Sequence, residues 1–179
     1  MTLGRCGFEV RSYEPDPVHF GLLQRNLGRN GLDRVTPIMA AVSKSDGVME
    51  FVRVLGNTTG SHLAGSKQNP YGELERFPVQ VEAIGPILEW ADLAKIDAEG
   101  HEREILLATG AQHWRSCDAM VEIGTAANAE AVFGHLKAIG IGMFAQKTGW
   151  RPVERIEQMP TSYRDGSLFI SHEPSMPWS

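Results

Sequence analysis

What most constrains this chain is an alternation. Apolar runs of strand length are followed repeatedly by runs with helical spacing, and acidic residues collect at the junctions. "GFEVRSYEPDP" predicts a strand from Phe8 to Tyr13, stopped by Pro15 and Pro17, because proline cannot donate to a central ladder. Asp16 then supplies a side-chain acceptor at an N-cap, and Pro17 a pre-set φ at the first helical position. Phe20, Leu23 and Leu27 mark one face of the helix that follows. Asn30 and Gly31 end it, being tolerant of the left-handed conformation.

The pattern continues. Residues 34 to 42 read as the next apolar strand, and "VMEFVRVL" (48 to 55) and "FPVQVEAI" (77 to 84) alternate like half-exposed strands. "ADLAKIDA" is a strand and "GHEREILLATG" a helix, with Glu102 and Glu104 suited to the positive end of its dipole and Gly110 closing it. "CDAMVEIG" is a strand, and "AANAEAVFGHLKAIG" a helix that buries Ala131, Leu136 and Ile139. "IGMFAQKT" and "GSLFISH" finish as an antiparallel pair. Strands alternating with helices predict an α/β domain with a mostly parallel sheet, whose ligands bind outside the carboxyl ends of the strands.

Composition narrows the function classes. The chain has 179 residues, 42% of them hydrophobic, which suits one domain spanning 1 to 179. Its formal charge is −5 and no block of lysine and arginine stands out, so it lacks the footprint of a nucleic-acid binder. Cys6 and Cys117 form no C-x-x-C pattern and read as small apolar core residues in a reducing cytosol. The six histidines show no helical metal-site spacing, so no metal is expected. No apolar run approaches the roughly 18 residues of a membrane span. "MTLGRCGFEV" lacks the basic start and long apolar stretch of a signal peptide, and the expected location is cytoplasmic. Segments 56 to 73 and 172 to 179 are the least ordered by composition.

The acids fall at the expected ligand edge. Glu14 ends the first strand, Asp97 and Glu99 follow "ADLAKI", and Glu122 lies near the end of "CDAMVEIG". With these strands as parallel neighbours, four carboxylates meet at one rim. A carboxylate at the position of Glu14 suits the two hydroxyls of a ribose, and a charged acceptor strengthens each bond. Lys95 and Asp97 are two apart and share a strand face, where partial neutralisation lowers the cost of burying either.

"SYEPDPVHFGLLQRNLGRNGL", then "AAVSKSDG", then "ADLAKIDAEGHEREILLATGA" resemble the FkbM family of S-adenosylmethionine-dependent methyltransferases across roughly residues 8 to 125. The resemblance implies a Rossmann-like class I methyltransferase fold and transfer of a methyl group to a hydroxyl of a sugar or natural-product-like small molecule, with S-adenosylmethionine as cofactor. It implies that Glu14, with Pro15 beside it, holds the cofactor ribose. Ala40, Ala41 and Val42 would lie beside the adenine, and Asp97 near the methionine end. Glu99 and His101 would face the acceptor, and Ser61 and His62 match a small polar segment near the substrate. Asp97, Glu99, His101 and Glu122 are the candidates to receive the hydroxyl proton.

One family feature is absent. The glycine-rich loop that should precede the Glu-Pro strand by roughly thirty residues is missing, and "GRCG" (4 to 7) reads instead as a helix end. The expected fold is therefore N-terminally incomplete, without its first strand and glycine loop. Three accounts stay open: a fragment or misassigned start, direct pairing of the strands at 8 to 13 and 92 to 97, or a strand supplied by a second copy in a homo-oligomer. Two other functional readings also stay open. One is an NAD-binding oxidoreductase holding its cofactor through Glu14; the other is a non-catalytic remnant serving as an oligomerisation module.

Overall fold

Asp16 and Pro17 start a helix as the sequence predicts. In this computed structural model, which describes residues 2–56, 60–66 and 72–177, the Asp16 carboxylate caps the helix by accepting the Val18 N–H at 2.8 Å and the His19 N–H at 3.4 Å. The chain divides into two compact units, Met1–Glu82 and Ala83–Ser179.

The first unit begins with a short helix α1 (Thr2–Arg5) and strand β1 (Val10–Tyr13). Helix α2 (Pro17–Arg29) ends at Asn30, and Gly31 takes the left-handed φ of 59° that the sequence anticipated. Strand β2 (Val35–Ile38) pairs parallel with β1. Leu27, Leu32 and Val35 form a small core there, with Val10 and Leu23 against it. The strand expected from Phe8 starts two residues later, and Phe8 is exposed.

Residues 34 to 42 are not one strand. The ladder stops at Ile38, and β3 (Ala41–Ser43) belongs to another sheet, ordered β3-β6-β4-β5. In that sheet β4 (Gly47–Val54) pairs antiparallel with β5 (His62–Leu63) and β6 (Leu74–Ala83). Ala41, Phe51, Leu63, Val79 and Val81 pack as its core. Segment 56 to 73 was expected to be irregular; residues 57 to 59 and 67 to 71 of it, like 178 and 179 of the tail, lie outside the described residues.

The second unit opens with α3 (Ile84–Trp90), a helix the strand-like run 77 to 84 concealed. Then come β7 (Leu93–Ile96), α4 (Glu102–Leu107), β8 (Asp118–Glu122), α5 (Ala126–Ala138), β9 (Gly142–Ala145), β10 (Arg151–Pro152) and β11 (Ser167–Ser171). Their sheet runs β10-β9-β11-β8-β7, with β7 at one edge. Of its ladders only β7 with β8 is parallel, and β11 runs antiparallel to both β8 and β9. The expected antiparallel finish is present, but the sheet is not mostly parallel, because β11 inserts between β8 and β9.

The core of this unit is dense. Val121, Ile123, Leu136, Leu168 and Ile170 have no exposed surface, and each such side chain contributes about 1.5 to 3 kcal/mol by burial. Helix α5 is capped by the Thr125 side chain and buries Ala129, Val132 and Leu136; Ala131 and Ile139 are only half-buried. Gly110 does not close α4: Ala108 does, and Gly110 instead precedes a 3-10 turn over Ala111–Trp114. The mixed α/β character is as predicted. Among the described residues no helix is long and apolar enough to cross a membrane.

Candidate functional site

Two parallel strand pairs each build a carboxyl rim. In the first unit Tyr13 lies opposite Ile38, so β1 and β2 end level. The Glu14 N–H donates to the Ile38 carbonyl at 3.0 Å, carrying the pairing one residue further. Glu14 and the chain from Met39 to Ala40 therefore leave the rim side by side. Ala40 and Ala41 are buried, Val42 half-buried, and Ala41 to Ser43 become β3.

The turn Glu-Pro-Asp-Pro holds Glu14. Proline has no N–H, so residues 15 to 17 offer a single backbone donor, that of Asp16. It donates to Glu14 Oε1 at 2.9 Å. Burial pushes the Glu14 carboxyl up, opposed by that bond. A carboxylate has roughly four acceptor directions, and among the described residues one is filled here.

Asp16 does more than cap a helix. Its side chain has no exposed surface, and it accepts Arg53 Nε on Oδ2 and Arg53 Nη2 on Oδ1, both at 2.6 Å. Burial pushes this carboxyl up, but the Arg53 guanidinium and the two helix N–H groups outweigh it and hold it below its usual range. Arg53 also reaches Glu75 at 2.6 Å and lies 4.8 Å from the centre of the Phe77 ring. Sequence reading found the cap but missed the arginine, which stands 37 residues away. The lone inward charge in "FVRVL" was the available signal.

In the second unit Ile96 lies opposite Val121, so Asp97 and Glu122 leave the ends of adjacent parallel strands. The expected Lys95–Asp97 pair forms at 3.3 Å, but both side chains are about half exposed. It therefore offsets no burial cost. Glu122 is half-buried.

The turn after Asp97 is tightly wound. Glu99 has φ 50°, unusual for a residue with a Cβ, and Gly100 has φ 102°. Glu102 braces this turn: its buried carboxylate accepts the Ala98 N–H at 2.7 Å and the Gly100 N–H at 3.0 Å. Burial raises its pKa against those bonds. The sequence suggested a helix-dipole role for Glu102 and Glu104; Glu104 is exposed, whereas Glu102 is an internal acceptor. His101 is buried at the start of α4 and Glu99 half-buried.

The remaining candidates sit in the four-stranded sheet. Ser61 is buried and its Oγ accepts the Val54 N–H at 3.2 Å. His62 is buried on β5, with Nδ1 2.8 Å from the Gly60 carbonyl. Cys117 is buried as expected, but Cys6, just past the end of α1, is exposed. A pocket of about 260 Å³ lined by Glu9, Asp33, Arg34 and Thr36 lies toward the amino ends of β1 and β2, not at the Glu14 rim. Among the described residues no three His, Cys, Asp or Glu side chains are grouped to hold a metal ion.

Comparison with known proteins adds one similarity. The chain is 27% identical over 137 residues to methyltransferase sdnD of Sordaria araneosa, an alignment covering 59% of this chain and 53% of that protein. The chain thus spans about half the length of the curated relative it matches. No protein-family model matches the chain. No solved structure matches it either.

Proposed function

We propose that this chain is the cofactor-binding and catalytic part of an S-adenosylmethionine-dependent O-methyltransferase of the FkbM kind, acting on a hydroxyl of a sugar-like or natural-product-like small molecule. The observation that carries the reading is the Glu14 rim. A half-buried carboxylate ends a parallel strand, one oxygen is fixed by the Asp16 N–H, and the Ile38–Ala40 backbone leaves beside it. The similarity to a methyltransferase supports the same reading.

The residues present fit the nucleoside half of the cofactor. Glu14 accepts the ribose hydroxyls through its remaining acceptor directions, and its charge strengthens both bonds. Ala40, Ala41 and Val42, small and apolar, line the adenine with their backbone. When bound, the cofactor supplies an electrophilic methyl group on a cationic sulfur. Asp97, exposed at its strand end, carries the kind of negative charge that favours a sulfonium cation. Glu122, level with Asp97, holds the acceptor hydroxyl and takes its proton on a carboxylate oxygen. Glu99 and His101 shape the acceptor side from the wound turn. Direct displacement rewards alignment above all, which a turn braced by Glu102 is suited to keep.

The test is a calorimetric titration of the chain with S-adenosylhomocysteine, repeated for Glu14→Ala. The expected result is binding by the wild type, and a loss of about 1.5 to 3 kcal/mol for each charge-assisted bond removed in the variant. A folded wild type that binds no S-adenosylhomocysteine overturns the reading. Equal affinity in the variant removes Glu14 from the site.

A further inference from the structure

Asp16 and Arg53 form a fully paired ionic contact beside the proposed ribose acceptor, and the function proposed above does not use it. Asp16 has no exposed side-chain surface and four hydrogen bonds: two from α2 backbone N–H groups and two from Arg53. Arg53 is itself fixed from three sides. It sits in β4 opposite Glu75 in the ladder with β6, pairs with that glutamate, and stacks on Phe77. A planar fork held by two carboxylates and a ring has little freedom. Asp16 therefore has one position, and so has its backbone N–H, flanked by the φ restraints of Pro15 and Pro17. That N–H is the group that holds Glu14 Oε1.

We infer that Arg53 is a positioning residue for Glu14: it locks Asp16, and the Asp16 N–H aims the Glu14 carboxylate. This rests on the reading of Glu14 as the ribose acceptor. The relay runs from β4 through a buried carboxylate to a rim residue of another sheet, all within the first unit. Its place in the sequence explains the Glu-Pro-Asp-Pro spacing. Two prolines leave one donor in the turn, and the residue carrying that donor also carries the anchor.

A merely structural contact would join α2 to β4 and leave Glu14 unaffected. The two roles separate in the titration of Glu14, followed by carbon-13 NMR of labelled glutamate carboxyls and assigned with Glu14→Gln. Arg53→Lys keeps the positive charge, and with it the long-range field at Glu14, but loses the two-pronged grip. The expected result is a Glu14 titration moved to higher pH by about half a unit or more, because a hydrogen bond to the charged form has weakened. Arg53→Met serves as the second variant and should move it further. S-adenosylhomocysteine affinity should fall about fivefold in Arg53→Lys, and the same change placed on Glu14→Gln should cost nothing further. A Glu14 titration unchanged in a folded Arg53→Lys protein overturns the inference, as does an affinity loss that persists in the Glu14→Gln background. A shifted titration with no S-adenosylhomocysteine binding by the wild type upholds the relay and overturns the ribose reading alone.

Discussion

The Glu102 carboxylate reaches back across two residues to accept the Gly100 N–H at 3.0 Å, closing the turn that follows β7 from inside. Burial raises its pKa above the ordinary 4.5. A raised folded value means that this group's contribution to stability is complete below the ordinary pKa and is lost as pH rises through the folded one. Glu102→Gln abolishes that slope. Urea unfolding between about pH 4 and 7 should show wild type losing stability relative to Glu102→Gln as pH increases.

Removing the acceptor altogether is a different experiment. Glu102→Ala leaves the Ala98 and Gly100 N–H groups without the partner they have now. The expected cost is about 1 to 3 kcal/mol per unsatisfied buried donor, read as a lower urea midpoint with an unchanged m-value.

Arg53→Met should destabilise the chain by about 3 kcal/mol, since it leaves a buried Asp16 carboxylate with only two helix N–H groups. The pH dependence runs opposite to that of Glu102. Asp16 is held below its ordinary 3.8, so its stabilisation is present above that value and is lost as pH falls through the folded one. Thermal melts at low pH should show that wild type loses this advantage over Asp16→Asn.

Position 99 tests the strain in the wound turn. Its φ of 50° suits glycine or asparagine and disfavours a β-branched residue. Glu99→Val should cost about 1 to 2 kcal/mol, whereas Glu99→Asn should leave the melting temperature nearly unchanged.

The two thiols should differ sharply. Burial, with Asp118 and Asp92 nearby, pushes the Cys117 thiol up to about 11, whereas Cys6 is exposed. A disulfide reagent at neutral pH should label one thiol in the native protein, and two in denaturant. Cys6→Ser should abolish the native signal.

What was legible in the sequence was local. The cap at Asp16 and Pro17, the stop at Asn30 and Gly31, and the strands around Phe51, Ile96 and Val121 follow from neighbours within a few residues. β1 ends level with β2 and β7 with β8, but in two different sheets, so these strands are not the sheet neighbours that one rim of four carboxylates required. The rest depended on distant partners. Nothing near Asp16 names Arg53, and the apolar run through Met39 and Ala40 gives no sign that the chain changes sheet there. Ile84 looks like a strand end because β6 runs directly into α3 without a side-chain cap. The parallel expectation failed because β11, from the far end of the chain, takes a position that alternation alone assigns to a neighbour.

That insertion has a temporal consequence. The strands of the first unit are complete by Ala83, so its packing can begin while synthesis continues. The second unit lacks the middle of its sheet until Ser171 has emerged, which leaves β8 and β9 unjoined on the ribosome from the synthesis of Ala145 until then.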